Sequence, residues 1–114
     1  MIDAASGTAI ADRVRIADTS RARRQGLLGV DRLEPGAGIW IAPCEAVHTF
    51  GMRIPIDIVF LARDRTVKKI VPSLKPWRIA ACPTAASVLE MEAGTVLRTG
   101  LRVGAPLRFE PAGH

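Results

Sequence analysis

The chain contains no tyrosine, three phenylalanines and two tryptophans. With so few aromatic rings, its core has to be assembled mainly from Val, Ile, Leu and Ala. It has no apolar run near the ~18–20 residues needed to span a bilayer as a helix. Residues 1–12 lack the basic start and the apolar stretch of a secretory leader, so the sequence reads as that of a soluble, cytoplasmic protein. Cysteine is scarce as well: Cys44 and Cys82 permit one disulfide but do not imply one in a reducing compartment. The length of 114 residues is that of a single domain. Residues 1–12 carry the weakest pattern and are expected to be flexible or loosely packed against it. Hydrophobic residues at 48% against charged residues at 24% exclude a disordered chain.

Acidic residues are the minority charge. Net charge is +5 and the sequence pI is near 10.2. Arg13, Arg15, Arg21, Arg23 and Arg24 face only Asp18 within one short stretch. Arg63, Arg65, Lys68, Lys69, Lys75 and Arg78 form a second cluster. Such clusters are either a solvated surface or a patch for phosphate and nucleic acid.

Polar–apolar alternation predicts a strand over 13–17. Asp18-Thr19-Ser20 is an N-cap cluster for a short helix over 21–28, held by Leu27 and Leu28 and closed by Gly29. Short strands are expected over 38–42 and 46–50. Residues 56–61 are apolar at almost every position and predict a central strand buried on both faces. A hairpin through Arg63-Asp64-Arg65 leads to a strand over 66–71, whose inward face is ambiguous. Residues 72–83 hold three prolines and read as a long connection. A strand over 88–92, a helical turn over 95–99 and a last strand over 107–109 complete the chain. Short strands separated by turn signals predict a mainly β fold, a compact β-sandwich or barrel with one or two short helices. No β-α-β alternation is apparent, so a parallel pairing is not expected.

Several motifs occur in order from Arg23 onward: Arg23-x-x-Gly26-Leu27-Leu28, then Gly36-x-Gly38-Ile39, then His48-Thr49-Phe50-x-Met52-Arg53-x-x-Ile56-Asp57-x-x-Phe60-Leu61. Val88-Leu89-Glu90-Met91-x-Ala93-Gly94 and Gly100-x-x-x-Gly104 follow. In this succession the chain resembles the bacterial and archaeal family called domain of unknown function 192. Leu28 stands where that family commonly has Met, and Gly104-Ala105 where it has Gly-Asp. The resemblance implies a compact, mainly β fold and no established activity, cofactor or partner, so no catalytic residue is carried over.

Among residues with chemistry to offer, Asp57 stands out. A carboxylate inside Ile54-Pro55-Ile56-Asp57-Ile58-Val59-Phe60 is costly unless it is paired or hydrogen-bonded. Arg23, His48 and Arg53 are its candidate partners, either in a structural ion pair or around a small polar pocket. A cap on turn amides is the other structural reading. Cys44 and His48, four residues apart, admit a nucleophile–base pair oriented by Asp57, a metal site with Cys82, or a buried thiol beside a structural imidazole. No set of metal ligands and no cofactor motif emerges. Glu90 should point opposite Leu89 and Met91 on its strand. If that face is covered, it requires a cation such as Arg13, Arg15 or Arg23. Trp77, flanked by Lys75 and Arg78, either stacks on a ligand ring or pins its loop to the sheet. Trp40 is expected in the core.

Three functions follow. The first is a non-enzymatic accessory module that binds an anionic small molecule or a protein segment in a polar pocket near His48, Arg53 and Asp57. The second is a Cys/His hydrolase-type enzyme. The third is nucleic-acid binding through the clusters at 13–24 and 63–78.

Overall fold

The computed structural model describes residues 1–27 and 29–110, without the side chains of residues 24 and 25. Leu28 and residues 111–114 lie outside the described residues, so the docking role expected of Leu28 is not addressed. The fold is mainly β. Strands β1 (Ile2–Asp3), β2 (Arg13–Ala17), β3 (Ala37–Ile41), β4 (Ala46–His48), β5 (Ile56–Leu61), β6 (Val67–Leu74), β7 (Ile79–Ala81), β8 (Ser87–Glu92) and β9 (Leu107–Arg108) are joined by two short helices, α1 (Ser20–Gln25) and α2 (Thr95–Thr99). No helix among the described residues is long and apolar enough to cross a membrane.

A five-stranded sheet in the order β2-β3-β8-β5-β6 forms the centre. The pairs β4–β7 and β1–β9 form two small antiparallel sheets. Alternation along β5 and β8 divides the core. Ile56, Ile58, Phe60 and Val88 pack on one face with Ile39, Ile41, Leu27 and Ala80. Val59, Leu61, Leu89 and Met91 pack on the other with Met1, Ile10, Leu101 and Leu107. The sheet is thus layered between α1 with β4–β7 on the first face and the N-terminal segment with β1–β9 on the second.

Several expectations are corrected. β2 and β3 pair in parallel, with Arg13 opposite Ala37 and Ala17 opposite Ile41. They are connected through α1, so the strand, short helix and strand read from the sequence form a β-α-β unit. The helix is capped by Thr19, whose Oγ1 accepts from Ala22 N at 3.1 Å. It ends at Gly26 rather than Gly29, because Gly26 adopts φ 46, which a side chain resists. Part of the long connection is β structure: β6 runs on to Leu74, and β7 pairs with β4. The ambiguity over β6 has a geometric source. An extra residue between Lys69, opposite Phe60, and Val67, opposite Leu61, shifts the register and sends Val67 and Val71 to different faces.

Within residues 1–12, Met1, Ile10 and Ala11 are buried while residues 4–9 are exposed, and the terminal ammonium donates to the Ala11 carbonyl at 2.8 Å. Trp40 is only half-buried, with its ring edge-on to Phe109.

Candidate functional site

On the first face of the sheet, a cavity of about 510 Å³ opens between the floor of β3 and β8 and a rim made by α1, the β3–β4 connection and β4. Ile41 and Glu90 form the floor, with Arg23 and Leu27 on one wall and Cys44, Val47 and His48 on the other. Glu90 reaches this position because it alternates with Leu89 and Met91, as its strand spacing predicts. Gly38, on the neighbouring strand, has its missing side chain on the opposite face, where a Cβ would meet Met91 Cγ at 3.2 Å and the Glu90 carbonyl at 3.1 Å.

Glu90 is 4% exposed, and among the described residues its carboxyl has neither a hydrogen-bond donor nor an ion-pair partner. Burial away from water disfavours its charged form and pushes its pKa from 4.5 up to about 7. None of the expected cations neutralises it. Arg13 donates to the Pro35 carbonyl, and Arg15 to the Gly26 carbonyl. Arg23 shares the cavity, but its guanidinium is held by the Asp18 carbonyl at 3.1 Å and Ser20 Oγ at 3.4 Å.

Cys44 is half-buried and free, and its thiol donates to the Ala46 carbonyl at 3.2 Å. Desolvation raises its pKa above the ordinary thiol value, with the field of Glu90 adding to the rise and that of Arg23 opposing it. That environment disfavours a thiolate, the form a nucleophile needs. His48 is exposed. Its Nδ1 accepts from Phe50 N at 3.3 Å, and its ring lies 5.1 Å from that of Phe50. Cys82, also free, contacts Thr84 Oγ1 at 3.7 Å. Among the described residues, no cluster of three or more His, Cys, Asp or Glu is placed to hold a metal ion.

The structure separates Asp57 and Arg53 from this group. Asp57 is fully buried on the opposite face, across from Met91 in the sheet register. It accepts from Ser73 N and from Val96 N, each at 2.8 Å. The first amide belongs to a bulge: β6 spends one more residue than β5 between the pairs Ile56–Leu74 and Ile58–Val71. The second lies in the first turn of α2, whose own cap residue, Gly94, offers no side chain. Asp57 therefore acts as the amide cap considered from the sequence, and the pocket expected around it is not formed. The reason is the two-residue period of a strand, which sends Asp57 away from the face that carries Glu90. Arg53 is exposed and paired with Asp31 at 2.7 Å.

Sequence reasoning missed Thr49, which is fully buried. Its Oγ1 donates to the Lys75 carbonyl at 2.7 Å and accepts from Arg78 N at 2.9 Å, and its carbonyl accepts from Trp77 N. These bonds fix the segment between His48 and Phe50 at the cavity rim. Trp77 does not pin its loop to the sheet. It is 65% exposed and stacks on Phe50 at 5.8 Å. A threonine between two aromatic side chains gave no signal of burial. The apolar lining from Leu27, Ile41 and Met52 was legible only as core.

The two basic clusters separate as well. One lies on β2 and α1; the other starts in the β5–β6 turn and passes through Lys68 and Lys69 on β6, so β2 and β6 hold them at opposite edges of the central sheet. Four strand spacings of ~4.8 Å put them roughly 19 Å apart.

No curated protein shows significant similarity to the chain. Among solved structures, a protein from Sinorhizobium meliloti 1021, provisionally described as a transcription regulator, is 29% identical with a TM-score of 0.76, over 82% of this chain and 78% of its own. A protein of unknown function from Novosphingobium aromaticivorans DSM 12444 shares the fold with a TM-score of 0.78 and 21% identity, over 96% of this chain and 91% of its own. The DUF192 family, described as an uncharacterized ACR, matches residues 1–109, the whole of both layers around the sheet, and the chain belongs to that family.

Proposed function

We propose that the protein is a non-enzymatic binding module whose ligand site is the cavity over β3 and β8. The observation that carries this reading is Glu90, a nearly fully buried carboxyl that faces the cavity without a partner among the described residues. Burying such a group is costly unless something satisfies it, and a perturbed acid in a cleft marks a candidate site. The volume and the mixed lining of aliphatic side chains with a few polar groups are those of small-molecule sites.

The Cys/His hydrolase reading has less support. The thiol is committed to a carbonyl, its pKa is raised, and Asp57 is on the wrong face to orient His48. Nucleic-acid binding would require the two basic clusters to act together, and their placement at opposite sheet edges weighs against it. A sensory binding module is compatible with the regulatory description of the Sinorhizobium meliloti neighbour.

Cys44 provides the test, because it lines the cavity. In a fragment screen, a true ligand slows maleimide labelling of Cys44 and raises the melting temperature with concentration. Filling the cavity with Val47→Phe abolishes both effects. The reading fails if no compound produces both effects, or if the protein turns over a hydrolase substrate panel and loses that activity on His48→Ala.

A further inference from the structure

The cavity holds two opposite charges apart. Arg23 and Glu90 both line it, yet they form no ion pair with each other. The Cys44 thiol, on the wall opposite Arg23, is influenced by both, Glu90 raising its pKa and Arg23 lowering it beside the larger effect of burial. The guanidinium is anchored at the rim by the Asp18 carbonyl just before α1 and by Ser20 in its first turn, and the carboxyl is carried on the floor by β8. Leu27, Ile41, Val47 and Met52 supply apolar surface beside them.

Resting on the binding-module reading, we propose that the ligand is a small zwitterion with an aliphatic body. Its ammonium group docks on Glu90, its carboxylate meets Arg23, and its side chain lies against Leu27, Ile41, Val47 and Met52, which is the chemistry of an aliphatic α-amino acid. A purely anionic ligand would leave Glu90 unsatisfied and bring like charges together. A purely cationic one would face Arg23. A molecule with both groups satisfies both ends, and charge-assisted hydrogen bonds are the strong ones.

Proton linkage gives this proposal a sign. The titratable groups facing Glu90 across the cavity are Arg23 on α1, Cys44 before β4 and His48 on β4. With burial holding Glu90 near 7, about half of the molecules carry its proton at neutral pH. An ammonium placed against the carboxyl favours the ionised form and expels that proton. A bound anion at Glu90 would have the opposite effect and draw a proton in.

The experiment is calorimetric titration of the whole protein at pH 7, in two buffers of different ionisation enthalpy. Three probes share one aliphatic body: L-leucine, 3-methylbutylamine, which lacks the carboxylate, and 4-methylpentanoate, which lacks the amine. L-Leucine is expected to bind roughly tenfold or more tightly than either and to release protons. Glu90→Gln abolishes the release and reduces leucine to the affinity of 4-methylpentanoate. Arg23→Gln reduces it to that of the amine and preserves the release. The proposal is overturned if either single-charge probe matches leucine, if protons are taken up, or if none of the three binds at millimolar concentration. Should another compound protect Cys44 and raise the melting temperature, the binding reading stands and only the zwitterion is lost. If no compound does so, both fall.

Discussion

Two buried carboxylates sit on neighbouring strands of one sheet, and they live in opposite chemical worlds. Asp57 on β5 is fully buried on the second face, and two backbone amides donate to it. Glu90 on β8 is 4% exposed on the first face and has no donor among the described residues. Asp57 closes a bulge in β6 and caps α2, so its negative charge is met by aligned N–H groups. Glu90 meets a cavity, and its pKa rises to about 7. Burial alone therefore does not say how a carboxylate is accommodated. The distinction lies in whether the fold supplies the hydrogen-bond partners itself.

The sharpest way to break this contrast is Asp57→Ala. It takes the acceptor from two part-buried hydrogen bonds, each worth up to about 1–3 kcal/mol, so a loss of up to roughly 2–6 kcal/mol is expected in urea denaturation. A loss below about 0.5 kcal/mol would place Asp57 with ordinary surface residues.

Glu90→Gln should act in the other direction, and its effect depends on pH. Below 4.5 both the folded and the unfolded chain hold the proton, so the carboxyl costs nothing. Between 4.5 and about 7 the folded chain binds the proton more tightly, and stability falls as pH rises. Above about 7 the whole penalty is present, up to about 3 kcal/mol. The substitution is expected to stabilise the protein at pH 8 by up to that amount and to leave it nearly unchanged at pH 4. A stabilisation independent of pH would contradict this account.

Cys44 tests the same cavity with a smaller effect. Its raised pKa predicts iodoacetamide labelling at pH 7.5 several-fold slower than that of a free thiol, recovering as pH rises. Labelling faster than a free thiol would revive the nucleophile reading. The smallest effect belongs to Arg53, once grouped with these residues. Its exposed pair with Asp31 predicts a change of about 0.5 kcal/mol or less for Arg53→Ala, and no effect on ligand binding.

The fold was readable wherever the signal was local. β5 and α2 fall where apolar content, turn glycines and helix length place them. The parallel β2–β3 pair was not read although both strands and the helix between them were, because which strands pair leaves no local signal in the sequence. The β6 face was hidden by a register shift that only the partner strand reveals. For the site, sequence reasoning reached Arg23, Cys44, His48 and Glu90, which line one cavity. It chose Asp57 as the centre because the greasiest stretch makes a carboxylate conspicuous. It had no way to weigh Ser73 and Val96, whose amides are brought to that carboxylate from distant positions in the chain.

The central claim is that the Glu90 carboxyl is buried against an open cavity without a partner among the described residues. Carbon-detected NMR titration of the side-chain carboxyls, with the Glu90 signal assigned by its loss in Glu90→Gln, measures this directly. The account predicts a midpoint of about 7 for that signal in the ligand-free protein. A midpoint at the ordinary value of 4.5 would show a solvated or satisfied carboxylate and contradict it.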